Sequence, residues 1–277
     1  MLLVAAAGAG VPARRPDWIA RVDQHCVAAF SSPGSEVHRS HALLISSYMV
    51  ALHDTPRALE LVTDAIDLAD ALGATDLANV CRAYGASHLA LSGRLDEARA
   101  EIRALDARLP VDYDQAWHTR NLVVAAVAAL TDAPAAVEAM ALERRAYADH
   151  GLVAPANLLC LEACACAGAG NAERTHALVN AAYDEARRAL GEDGLPDLLL
   201  PAAILAWRRR DLDRAQRWVT AIRRAGRPTA NFLVTIMFRQ LRDRVGYQQA
   251  DPLEHSSLTE LIEECRLWLS SVAAGHD

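Results

Sequence analysis

Five small residues recur down the chain at almost equal spacing: Ala58, Ala98, Ala136, Thr175 and Ala215, separated by 40, 38, 39 and 40 residues. Each follows a short break in the helical pattern and precedes a larger apolar residue four places on, as Ile102 follows Ala98. Self-similarity at a period of roughly 20 to 50 residues marks a solenoid, in which each unit buries its apolar face only by stacking on its neighbours. The expected fold is all-α: a right-handed superhelical solenoid of antiparallel helix pairs, with function carried on a surface rather than in one enclosed core.

Composition supports the helical reading. The chain has 277 residues, is 52% hydrophobic and only 5% aromatic, and 11 Pro and 14 Gly leave long uninterrupted stretches. Ala, Leu and Arg dominate; they lose little side-chain freedom in a helix, and alternating β-branched segments are scarce. There is no lysine, so all 28 basic residues are arginine. Schiff-base chemistry, a pyridoxal-phosphate anchor and a P-loop lysine are thereby excluded.

Turn and cap signals divide the chain into elements. Pro16 opens a capping helix carrying Trp18, Val22, Cys26 and Phe30, so that 1–36 forms an N-terminal segment. Five pairs then fill 37–226: 37–52 with 55–72, 76–91 with 94–109, 113–131 with 134–149, 154–168 with 171–190, and 196–209 with 211–225. Asp54 before Pro56, Gly93 before RLDEA, Asp132 before Pro134, Asn171 before AER and Asp211 before LDRA supply the breaks. In the third pair Ala135 competes with Ala136 for the anchor. A last pair, 229–245 and 256–273, departs from the period and is expected to cap the stack within 227–277.

The net charge of −7 is uneven. Between Arg208 and Arg244 eleven Arg face three Asp, a local balance of +8 that leaves −15 for the other residues. Alternating Arg and Asp in RRRDLDRAQRW reads as a solvated face with local ion pairs; without interleaved aromatics or a docking motif it argues against nucleic acid. The six cysteines sit on apolar helical stretches, which predicts reduced, core thiols in a cytoplasmic chain. Cys160 and Cys164 share a helix face, whereas Cys166 is rotated about 200° from Cys164, so no zinc set forms. MLLVAAAGAGVPARRP lacks the positive n-region of an export signal, and no stretch has the uncharged length of a membrane span. Asp64, Asp67 and Asp70 read as a solvated acidic face, and His38 and His41 lack the Glu of a zinc-protease helix. Nothing implies a cofactor, a metal or a catalytic residue.

The segment YGASHLALSGRLDEARAEIRALDARLP resembles a tetratricopeptide repeat, with Gly93 at the inter-helix turn, Ala98 and Ile102 in the packing positions of the second helix, and Pro110 closing the unit. Its period exceeds the ~34 residues usual there. That length, and ALELVTDAIDLADALGATDLANVCRAYGASHLALSGRLDEA, look like the helical-repeat regions of large actinobacterial regulators, the ATP-binding LuxR-type activators and the antibiotic-regulatory family. The resemblance covers about residues 37–226. No Walker A sequence or LuxR-type helix-turn-helix is present, and most units lack the first-helix aromatic, so the chain resembles the repeat region alone.

In such a stack the first helix of each pair lines the concave face. Counting back from each anchor places Ser40, Leu43 and Ser47, then Val80, Ala83 and Ser87, then His118, Asn121 and Ala125, then Asn157, Cys160 and Cys164, and last Asp197, Leu200 and Ile204 there, with Trp207 and Arg208 added near the last anchor. Asparagine both donates to and accepts from a peptide backbone, so His118, Asn121 and Asn157 suit a clamp on an extended segment. The expected function is a non-catalytic, regulatory protein or peptide interaction module whose partner-binding residues are His118, Asn121, Asn157, Ser87, Asp197, Trp207 and Arg208. The alternative is a small-molecule-binding or catalytic helical protein with a pocket near 112–121, built on Asp112, Asp114, Trp117 and His118.

Overall fold

The computed structural model describes residues 36–109, 115–189, 195–225, 232–246 and 257–276, and among them every regular element is helical. The helix expected from Pro16, together with Cys26, Asp112 and Asp114, lies outside the described residues. The helices are α1 (Glu36–Val50), α2 (Thr55–Ala71), α3 (Thr75–Leu91), α4 (Leu95–Asp106), α5 (Gln115–Ala128), α6 (Ala133–Asp149), α7 (Ala156–Gly168), α8 (Ala172–Ala189), α9 (Leu199–Arg208), α10 (Leu212–Arg224), α11 (Phe232–Val245) and α12 (Leu258–Ala273). A 3-10 turn, Leu195–Leu198, leads into α9.

The breaks work as caps. The carboxylates of Asp54, Asp132 and Asp211 accept from the N–H groups of Arg57, Ala135 and Arg214 at 3.0, 3.4 and 3.1 Å, and the Asn171 amide oxygen accepts from Arg174 N–H at 3.0 Å. Each satisfies a donor that the first helical turn leaves without an intrahelical partner. The spaced small residues then occupy equivalent positions. The N–H groups of Ala58, Ala98, Ala136, Thr175 and Ala215 donate to the carbonyls of Asp54, Arg94, Asp132, Asn171 and Asp211, closing the first turn in each case. All five are completely buried, and Val62, Ile102, Met140, Val179 and Val219 beside them are buried too. Ala135 is only half-buried, which makes Ala136 the third anchor.

The contacts divide the chain into two compact units that meet at Val123 and Val124, within α5. In the first unit α1 packs on α2, α2 on α3 and α3 on α4. Leu43, Leu44, Leu61, Val62, Ala65, Leu77, Val80, Cys81 and Ala116 form its core. Each fully buried Leu contributes about 2 kcal/mol.

In the second unit α7 packs on α6, α8 and α9, and α9 packs on α10. The C-terminal pair does more than close the last hairpin. Helix α11 lies against α9 and α10, and its Gln240 amide donates to Ala126 O at 3.1 Å. Helix α12 lies against α8, α9 and α10, and Cys265 Sγ reaches Leu198 O at 4.0 Å. Helices α7 and α9 are consequently covered on all sides: every residue of α7 except Asn157 and Leu159 is buried, as are Leu199–Ala206 of α9. A helix that is apolar all round belongs inside a core. The expectation that Cys160, Cys164, Leu200 and Ile204 line an open concave face is corrected here, because all four are buried, and the same holds for Ser40, Leu43, Ser47, Val80 and Ala83 of the first unit and for Ala125.

Candidate interaction surface

The expected contact residues separate into buried and accessible groups. Ser87 is fully buried on α3, and its hydroxyl donates to Tyr84 O at 2.6 Å. Asn121 is fully buried on α5, where its amide oxygen accepts from Arg120 Nη1 at 2.8 Å. Arg120 is itself held by a two-pronged pair with Asp106 of α4, at 2.6 and 2.9 Å. Both side chains are thus committed inside the first unit rather than offered to a groove. The sequence places them by register alone, and register does not show that neighbouring helices close over them. His118 and Trp117 are half-buried on the first turn of α5.

The remaining four sit at helix ends in the second unit. Asn157 is exposed at the start of α7, its side-chain oxygen accepting from Leu158 N–H at 3.0 Å. Asp197 is half-buried in the 3-10 turn before α9; its main-chain oxygen accepts from Cys160 Sγ at 3.4 Å, and burial pushes its carboxyl up to about 7. Trp207 is half-buried and Arg208 exposed at the far end of α9, about 15 Å from Asp197 at 1.5 Å per residue. The guanidinium of Arg244, on α11, lies 5.9 Å from the centre of the Trp207 ring. Asp197 therefore does not converge with Trp207 and Arg208 on one point.

Several polar groups emerge that residue spacing does not reveal. In the first unit His88 is fully buried, with Nε2 at 3.2 Å from Ser47 Oγ. The Ser47 hydroxyl already donates to Leu44 O at 2.7 Å, so Nε2 carries the proton that His88 gives to it. Burial pulls the imidazole down to about 4 and keeps it neutral. In the second unit Glu162 is buried on α7 between Arg144 of α6, at 3.3 Å, and Arg174 of α8, at 2.9 Å. A lone charge inside ANLLCLEACACAG is the available signal for that pair, since a buried carboxylate requires a counterion. Trp218 of α10 and Trp268 of α12 pack with ring centres 4.9 Å apart, and Arg214 lies 5.2 Å from the Trp268 ring.

These groups are arranged for packing and charge neutralisation. Among the described residues no set of three or more His, Cys, Asp or Glu is placed to hold a metal ion. His38 and His41 are both exposed, Asp64 and Asp67 are exposed on α2, and Asp70 pairs with Arg82. No described helix is long and apolar enough to cross a membrane. Compared with known proteins, the chain matches no family model, no curated protein and no solved structure.

Proposed function

We propose that the chain is a non-catalytic helical-repeat module of tetratricopeptide-like design, which holds a protein or peptide partner and exerts a regulatory effect through it. The observation that carries this reading is the recurrence of one hairpin start at five places, with a buried small anchor, the same first-turn hydrogen bond and a buried apolar residue four positions on. A chain that repeats a packing unit multiplies surface rather than assembling one reaction centre. Two of its buried titratable groups are accounted for within the core, His88 as a neutral imidazole and Glu162 as an ion pair with two arginines. The accessible expected contacts are His118 in the first unit, and Asn157, Trp207 and Arg208 at the helix ends of the second, while the Asp197 carboxyl is withdrawn from water.

Panning a random-peptide display library on the purified protein tests the proposal. Enriched peptides should bind the wild type and lose affinity when His118 alone, Asn157 alone, or Trp207 together with Arg208 is replaced by alanine, each lost contact being worth on the order of 1 kcal/mol. Replacing Asp64 and Asp67 should leave binding intact. Failure to enrich any peptide, or binding that follows only Asp64 and Asp67, refutes the reading.

A further inference from the structure

The turn that joins α9 to α10 departs from its sister turns at one residue. Between α3 and α4 the chain reverses through Gly93 at φ 85°, and between α7 and α8 through Gly170 at φ 77°; between α9 and α10 the same place is held by Arg210 at φ 65°. The hydrogen bonding is alike in all three. Gly93, Gly170 and Arg210 N–H groups donate to Ala90, Ala167 and Trp207 O at 3.0, 2.9 and 3.0 Å. Those of Arg94, Asn171 and Asp211 donate to Leu89, Cys166 and Ala206 O at 3.0, 2.9 and 2.9 Å. The backbone imposes the left-handed conformation, and a residue with a Cβ meets a steric cost there that glycine avoids. Nothing within the described fold offsets it, because the Arg210 side chain is exposed and forms no ion pair or hydrogen bond with a described residue. Strain retained at an exposed position points to what the side chain meets outside the molecule.

The surroundings indicate the chemistry of that contact. Arg208 and Arg209 precede it, both exposed, and Arg208 likewise lacks a described counterion. Arg244 lies over Trp207, bringing a further guanidinium from α11 to this end of α9, within the stretch whose balance is +8. We propose that the α9–α10 turn docks an extended acidic peptide segment of a protein partner, with Arg208 and Arg210 taking its carboxylates beside Trp207. Sequence-independent nucleic-acid binding uses aromatic faces open to stacked bases, whereas the Trp207 ring has a guanidinium over it. This assignment rests on the reading of the chain as an interaction module and names the partner's charge.

A fluorescein-labelled Glu/Ala-rich peptide, followed by anisotropy with the full chain, is the probe. Binding is expected at about 50 mM salt and should be lost near 500 mM, because exposed charges are screened. Arg210→Gly should weaken it several-fold and, in the same sample, raise the unfolding midpoint by about 2 °C through relief of the turn. Adding Arg208→Ala should bring the loss to about tenfold, as two charge-assisted contacts disappear. Arg103→Ala, at an exposed arginine of α4, should change nothing. No binding at low salt, an equal loss in Arg103→Ala, or tighter Arg210-dependent binding of a single-stranded oligonucleotide of equal charge each overturns the assignment. Should the display library enrich only uncharged peptides that depend on His118 or Asn157, the interaction-module reading survives and this assignment alone falls.

Discussion

Changing glycine to alanine should have opposite signs at two buried helical positions of this protein. At Gly168, the last residue of α7, an added Cβ would stand 1.9 Å from the Ala129 carbonyl oxygen and 3.0 Å from its carbon, whereas ordinary contact begins at 3.4 Å. The gap must open by about 1.5 Å, and overpacking of this kind costs about 1–3 kcal/mol. The obstacle is backbone held in a turn: Thr131 and Asp132 N–H groups both donate to Ala128 O, at 2.9 and 2.7 Å, so no rotamer change relieves it. The upper end of that range applies, less at most about 1 kcal/mol of helix propensity recovered by alanine, and Gly168→Ala should destabilise by about 2 kcal/mol. At Gly85 the same Cβ meets only Ile66 Cδ1 and Val62 Cγ1, both at 3.8 Å, within α3. Gly85→Ala should therefore stabilise by about 0.5–1 kcal/mol through propensity and a less flexible unfolded chain. Urea titrations followed by circular dichroism compare the two variants with wild type. Shifts in the same direction, or an unchanged Gly168→Ala, would refute the reasoning.

Two further outcomes follow from the packing and the buried charge states. Ala98→Leu should overpack the completely buried anchor of α4 and cost about 1–3 kcal/mol, while Glu101→Ala on its exposed face should be nearly neutral; equal thermal stability of the two variants would remove the anchor assignment. His88 is held near 4 when folded and returns to about 6.5 when unfolded, so its neutral form is fully accommodated above pH 6.5 and stability is lost as pH falls from there towards 4. That loss is about 3 kcal/mol, and His88→Gln should flatten the acid limb of a stability–pH curve; an unchanged limb would mean that His88 is not the group responsible.

Local features were legible in the sequence because their causes are local. Helices begin and end within three residues of the limits expected from cap and turn residues, since an Asp or Asn cap needs only the N–H groups two or three residues ahead of it. The small anchors and their apolar neighbours were readable for the same reason: they recur along one strip of each second helix. What depends on which helix covers which was not readable. Asn121 and Ser87 have the right spacing for a contact face, yet the packing of the first unit buries them. Gly168 looks like any small residue in an Ala- and Cys-rich helix until Ala129, distant in sequence, is placed against it. The reach of α11 to Ala126 likewise has no counterpart in the periodicity, because a segment outside the repeat carries no register.

All five described cysteines are buried free thiols, one in the first unit, Cys81, and four in the second. Burial pushes Cys81 and Cys166 up to about 11 and raises Cys164 and Cys265 as well. These four thiols stay protonated and all five are out of reach of reagents, whereas the thiolate is the species that reacts with oxidants and alkylating reagents. Chemical modification at these five atoms is therefore governed by how often each unit opens, not by how much reagent surrounds it. Oxidative cross-linking through them is a record of unfolding.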